Sequence, residues 1–173
     1  AGDHTNVLRE RPDFRMQRVA LGNETTTLRL NLHREHVGST LIDSDWEGVV
    51  AKKSIPVRRL DEVVSELGLP PADLIKMDVQ GFELKILAGA EISCRRAKAL
   101  ILETWLYRSY GPETPLLGEI IEWTTGHDFT LVGLGDTYVA PDMKLASVDA
   151  FFLHNDLLPQ VAESGVVLMG EVV

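Results

Sequence analysis

Apolar residues recur along the chain in short blocks separated by turn-forming residues, and strand-like blocks alternate with helix-like ones. Residues 6–10 read as a short helix halted by Arg11-Pro12-Asp13, and residues 14–21 as a strand closed by Gly22-Asn23-Glu24. Residues 25–32 alternate cleanly through Leu28, Leu30 and Leu32, the mark of a half-buried strand. Residues 37–53 are polar apart from Trp46 and predict a long loop, after which residues 54–58 predict another strand. Residues 60–67 predict a helix, with Asp61 near its N-cap and Gly68 at its end.

The middle of the chain carries the strongest pattern. Residues 73–78 form an apolar strand ending in a carboxylate, Val79-Gln80-Gly81 a tight connection, and residues 82–89 a helix with Phe82, Ile86 and Leu87 facing inward. Residues 97–103 repeat the apolar strand with a terminal carboxylate. Strand, helix and strand over so short a span predict two adjacent parallel strands. Their apolar content places them centrally, covered on both faces. Residues 115–125 predict a helix, and residues 129–134 and 149–154 an antiparallel edge pair joined by a loop over residues 135–147. The expected fold is a single α/β domain.

Composition narrows the partners. The 173 residues carry 17 basic and 26 acidic side chains, a net charge of -9, which repels a nucleic-acid backbone or an anionic membrane. No apolar run approaches the roughly 20 residues of a membrane span, and no signal peptide is visible. The one cysteine, Cys94, pairs with nothing in the chain and reads as a structural thiol. The expectation is a cytoplasmic protein acting on a small molecule, with homo-oligomerisation left open.

In an open parallel sheet, ligands bind at the carboxyl ends of the strands. Asp78, Glu103 and the Ala20-Leu21-Gly22 turn occupy that rim. A carboxylate there can hold a ribose hydroxyl or an ammonium group, or act as a general base. Asp78 has a second reading, as the cap of the helix beginning near Gly81. Trp105, Tyr107 and Tyr110 follow Glu103 directly, either walling a small-molecule pocket or anchoring the loop to the next helix. His33, His36, Asp43 and Asp45 lack the spacing of a metal motif and read as solvated surface, so no metal site is expected. Neither a serine triad nor a phosphate-binding glycine loop is present.

Val57-Arg58-Arg59-Leu60-Asp61, then Asp73-Leu74-Ile75-Lys76-Met77-Asp78-Val79-Gln80-Gly81-Phe82-Glu83 and Leu87-Ala88-Gly89-Ala90, resemble the FkbM-type S-adenosylmethionine-dependent methyltransferases. Ala20-Leu21-Gly22, Gly38-Ser39-Thr40-Leu41, Leu102-Glu103-Thr104, Tyr110-Gly111 and Val148-Asp149-Ala150-Phe151-Phe152 fall in the family's order. Gln80 stands where Glu is commoner. The family's first strand with its glycine-rich loop, and the acidic residue after its second strand, have no counterpart, so the chain reads as beginning partway through the domain.

The resemblance implies a Rossmann-like class I methyltransferase sheet, mostly parallel with an antiparallel C-terminal strand and lacking its N-terminal strands, as one partial domain over residues 1–173. It implies methyl transfer from S-adenosylmethionine to a hydroxyl of a sugar, glycan or polyketide-type acceptor. The cofactor would meet Ala20, Leu21, Asp78 and Val79, and the acceptor Ser39, Trp105, Tyr107 and Tyr110, with Asp78 and Glu103 as catalytic carboxylates. The alternative is a non-catalytic remnant that binds a partner through an exposed sheet edge.

Overall fold

In the computed structural model, which describes residues 15–35, 38–43 and 48–164, the apolar blocks assemble into two sheets. The first contains β1 (Ala20–Leu21), β2 (Thr26–His33) and β3 (Val49–Arg58) in the order β1-β3-β2, with β3 parallel to β1 and antiparallel to β2. The alternation through Leu28, Leu30 and Leu32 forms β2 within one residue of the expected span. Of the strand expected over residues 14–21, only β1 is extended and paired, and Phe14 lies outside the described residues. The long loop expected over residues 37–53 is shorter, because β3 already begins at Val49. Residues 50–54 are all exposed and show no apolar alternation, so pairing with β2 rather than burial holds them extended. Trp46 and the helix expected over residues 6–10 lie outside the described residues.

The helix α1 (Leu60–Glu66) leads into the second sheet, built from β4 (Leu74–Met77), β5 (Ala99–Trp105), β6 (Phe129–Val139) and β7 (Leu145–His154) in the order β4-β5-β7-β6. Between β4 and β5 lie α2 (Glu83–Ala88) and α3 (Glu91–Cys94); α4 (Leu117–Thr125) precedes β6, and α5 (Leu158–Glu163) follows β7. Asp61 sits within α1 rather than capping it. Its carboxylate accepts the N–H groups of Ile92 (3.0 Å) and Ser93 (2.8 Å), satisfying the first turn of α3 from a neighbouring helix.

β4 and β5 are adjacent and parallel, and β6 and β7 form the expected antiparallel pair with β6 at the edge. Two expectations are corrected. Both sheets are mixed rather than mostly parallel: β1–β3 and β4–β5 are the parallel pairs, against antiparallel β2–β3, β5–β7 and β6–β7. β4 is not central but lies at the sheet edge. Its Ile75 and Met77 are buried while Leu74 and Lys76 are exposed, so one face is covered and the other open. β5 shows the same asymmetry, with Leu100, Leu102 and Thr104 buried and Ala99, Ile101 and Glu103 half-buried. An apolar run reports that a strand is buried somewhere; it does not report on how many sides.

The core lies on the covered face, where Leu87, Leu100, Leu102, Ile120, Phe129, Ala150 and Phe152 pack together. Among the described residues no helix is long and apolar enough to cross a membrane. The half-open face, carrying Glu103 beside Asp149 of β7, is where the chemistry collects.

Candidate active site

Parallel registry levels the ends of β4 and β5. Met77 pairs with Leu102, so Asp78 and Glu103 emerge next to each other. The chain then turns through two left-handed residues, Gln80 (φ 55°) and Gly81 (φ 93°), before α2 begins. Glycine is required at the second: a Cβ on Gly81 would stand 2.8 Å from Ile42 Cδ1. The turn folds the Gln80 side chain back over the strand ends, where its Nε2 donates to Asp78 Oδ1 (2.6 Å) and to Glu103 Oε2 (2.9 Å). Tyr110 donates its hydroxyl to Gln80 Oε1. From β7, Ser147 Oγ donates to Glu103 Oε1 at 3.0 Å. Asp78 therefore does not cap α2. That helix has no side-chain cap, and the preceding Gly81 N–H is taken by Glu83 Oε1 at 3.1 Å.

This polar knot is rich in like charge and partly buried, with Asp78 exposed and Glu103 half-buried. Partial burial, followed by the neighbouring Asp78 carboxylate, pushes Glu103 up to about 7, against the smaller opposing effect of the Ser147 hydrogen bond. Glu83, 1% exposed, is also pushed up to about 7 by burial, and its Oε2 finds no hydrogen-bond partner among the described residues. Burial and the surrounding carboxylates raise the Tyr110 phenol as well, keeping it a neutral donor at physiological pH.

Glu103 and Gln80 face a cavity of about 610 Å³ whose aromatic lining is Trp105, Tyr107, Tyr110 and Tyr138. Trp105 and Tyr110 meet edge to face at 5.0 Å. The Trp105 indole N–H and the Ser109 hydroxyl, both lining the cavity, are buried with no partner among the described residues. The loop is anchored to the next helix, as one of its two readings expected, and its aromatic residues also line the cavity. Arg108 anchors it, donating to the Thr114 carbonyl (2.6 Å) and to Glu119 of α4 (2.9 Å), while its aromatic neighbours wall the cavity.

Of the residues expected to meet a cofactor, Asp78 sits in the polar knot and the other three fall elsewhere. Leu21 and Val79 line a separate groove of about 860 Å³ along the outer edge of β4, with Leu60, Val64, Leu74 and Met77. Ala20 pairs with Val57 beside that groove. The segment from Met77 to Gln80 runs between the two spaces, bordering the groove with Met77 and Val79 and the cavity with Gln80. Ser39 is in neither. Its hydroxyl accepts the His33 N–H at 3.1 Å, and the adjacent Thr40 reaches the site instead, donating to the Gln80 carbonyl at 2.6 Å. Among the described residues no three His, Cys, Asp or Glu side chains converge as a metal site; His36 and Asp45 lie outside those residues.

Sequence reasoning found the two rim carboxylates and three of the aromatics but missed Gln80 as their bridge, Ser147 and Tyr138. Ser147 was findable from register, since Asp149 opposite Glu103 puts Ser147 opposite Trp105. Tyr138 was not, because Gly133, Gly135 and Asp136 disguise the second half of β6 as a loop.

The FkbM methyltransferase domain matches residues 5–133, most of the chain. The chain belongs to the FkbM methyltransferase family. A 2-O-methyltransferase, NoeI, from Sinorhizobium fredii (strain NBRC 101917 / NGR234) is 34% identical over 76 residues, covering 44% of this chain and 31% of that protein. The match thus spans about a third of the relative's length. No solved structure matches the chain. Within this FkbM chain, the matched region includes β4, β5, α2 and the Asp78–Gln80–Glu103 knot, and it ends inside β6, short of Tyr138 and Ser147.

Proposed function

We propose that this chain forms the acceptor side of an S-adenosylmethionine-dependent O-methyltransferase within a Rossmann-like domain, acting on a small hydroxylated molecule of sugar, glycan or polyketide type. The observation that carries the reading is Glu103, a carboxylate raised to about 7 and turned into an aromatic-lined cavity. A base of that strength is half ionised near neutral pH, where it can take a hydroxyl proton. Among the described residues that line it, the cavity has no Lys or Arg and carries Glu35 as well as Glu103, which favours an uncharged acceptor over an anionic one.

The β4 groove fits the cofactor only in part. Leu21, Val64, Met77 and Val79 offer apolar walls suited to the faces of an adenine ring. Asp61, the carboxylate bordering that groove, already accepts from Ile92, Ser93 N–H and Ser93 Oγ, which leaves it poorly placed for ribose hydroxyls. The cofactor, when bound, supplies an electrophilic methyl group. This chain's own residues act on the acceptor: the aromatic walls orient it and exclude water, and Glu103 receives the hydroxyl proton. Asp78, at the same strand-end level, keeps that proton affinity high.

A partner-binding role has one observation in its favour, the open edge of β4, where Leu74 is 51% exposed. The two readings part on one experiment. The whole protein is incubated with methyl-labelled S-adenosylmethionine and a panel of neutral hydroxylated acceptors. Label appearing in an acceptor as a methyl ether supports the enzyme. No label in any acceptor, with a folded protein that retains the cofactor, favours the partner-binding remnant.

A further inference from the structure

Gln80 is held at both ends. Its carbonyl accepts from Thr40 Oγ1 at 2.6 Å, its side-chain oxygen accepts from Tyr110, and its backbone occupies the left-handed region at φ 55°. A long side chain in that conformation is strained by on the order of 1 kcal/mol or more and persists only where surroundings over-determine it. The surroundings here do so through the amide. A primary amide nitrogen has two hydrogens, and both are used, one on Asp78 at 2.6 Å and one on Glu103 at 2.9 Å. Turning the amide over would set its oxygen against two carboxylates, so only one orientation is favourable. The nearest side of β4 offers no substitute, since Lys76 points its ammonium to Asp149 at 3.8 Å.

We propose that Gln80 is a positioning residue, an amide clamp that holds the Asp78 and Glu103 carboxylates side by side and fixes the plane of Glu103 so that its free lone pairs face the acceptor cavity. Gln80 occupies one lone pair of Oε2 and Ser147 one lone pair of Oε1, and the Asp78 carboxylate lies within hydrogen-bonding reach of the same carboxyl, so the positions left for an incoming hydroxyl are set by these three neighbours. The proposal rests on the reading of Glu103 as the proton acceptor. It adds that two adjacent acids are kept together by a neutral double donor, with no cation between them. The groups around Glu103 are Asp78 after β4, Gln80 in the turn, Glu83 at the start of α2, Tyr110 after β5, Ser147 and Asp149 on β7 with Lys76 of β4 beside Asp149, and His33, Glu35, Tyr107 and Tyr138 across the cavity. Replacing the amide by an isosteric carboxylate would put three acids within reach of one another, and one proton would have to stay.

The test is carbon-detected NMR of glutamate carboxyls in the 173-residue chain, with Glu103 assigned through Glu103→Gln, alongside the Gln80 side-chain NH2 signals. In the wild type, the Gln80 NH2 signals are expected to shift with pH along the Glu103 titration, and to lose that dependence in Glu103→Gln. Gln80→Glu is expected to raise the Glu103 midpoint by about a unit or more, as for carboxylates sharing a site. Gln80→Asn, which tolerates the left-handed backbone but is one methylene too short, is expected to raise it less. If Gln80→Glu fails to fold, the wild-type NH2 signature and Gln80→Asn still decide. NH2 signals indifferent to pH, with an unmoved Glu103 midpoint in folded Gln80→Asn, would overturn the clamp. In the whole protein, Gln80→Asn should lower kcat by about tenfold with KM nearly unchanged, as expected for a group that orients a base. A protein that transfers no methyl group, while the Gln80 amide still tracks Glu103, removes the enzymatic reading and leaves the clamp standing.

Discussion

The two sides of the strand end at Asp78 are built very differently. On the β5 side, Asp78, Gln80, Glu103, Tyr110 and Ser147 satisfy one another in a closed set of hydrogen bonds, and a bounded aromatic cavity opens from them. On the other side, the outer edge of β4 pairs with no strand among the described residues and borders a groove with largely apolar walls, where Leu74 stands half in solvent. The first is preorganised, with each polar group already oriented, as a catalytic carboxylate requires. The second is mostly apolar, and of its polar lining Asp61 and Ser93 are engaged with each other while Ser65, Lys76 and Arg96 border its margin. On the proposed reading, the β5 side receives the acceptor, and the β4 groove meets the cofactor mainly with apolar walls.

The sharpest way to break that contrast is at Asp78, which the two sides share. Asp78→Asn should lower methyl transfer in the whole protein by roughly 100-fold or more, as for loss of a positioned carboxylate. The melting temperature should stay nearly constant, because Asp78 caps no helix. Near-normal turnover with an unchanged melting temperature would take Asp78 out of the site.

The groove makes the next largest difference. Titration calorimetry of the 173-residue chain with S-adenosylmethionine should give binding weaker than micromolar, since the polar parts of the cofactor find few partners there. Micromolar binding by this chain would erase the distinction between the two sides.

On the acceptor side, Tyr138→Ala removes one exposed wall of the cavity. It should raise KM for the acceptor by about tenfold while kcat changes little, as expected for a residue binding substrate and transition state alike. A fall in kcat at constant KM would instead place Tyr138 at the reacting atoms.

The smallest effect is expected at Glu83. Because its folded-state proton affinity is raised to about 7, the folded chain holds a proton that the unfolded chain releases nearer 4. Stability is therefore full at low pH and is lost as pH rises from that lower value through about 7. Glu83→Gln, neutral throughout, should flatten the fall in melting temperature between pH 5 and 8 without abolishing it, since Glu103 contributes in the same direction. An unaltered pH profile would show that Glu83 is ionised in the folded state.

Hydrophobic patterning reported the covered half of the molecule well and the half-open face poorly. β2, β4, α2 and β5 were legible because each carries buried or half-buried apolar residues at a regular period. β3 was shortened because residues 50–54 are exposed. β6 was cut at Leu134 because Gly133, Gly135 and the register shifts beyond them interrupt its alternation. In the site, Asp78 and Glu103 could be read from their positions at strand ends. Gln80 could not, because its role depends on a backbone turn that redirects its side chain, and nothing in the spacing of Val79-Gln80-Gly81 signals a left-handed residue before the glycine.

The central claim, that Glu103 is the base of a completed acceptor site, is tested most directly by the pH dependence of methyl transfer in the whole protein and in Glu103→Gln, with the acceptor saturating. A carboxylate raised to about 7 is active when ionised, so the wild-type rate should climb through a limb near pH 7 and level off above it. Glu103→Gln should be slower by about 100-fold at pH 8 and should lack that limb. A Glu103→Gln enzyme with the wild-type rate and the same limb would contradict the account.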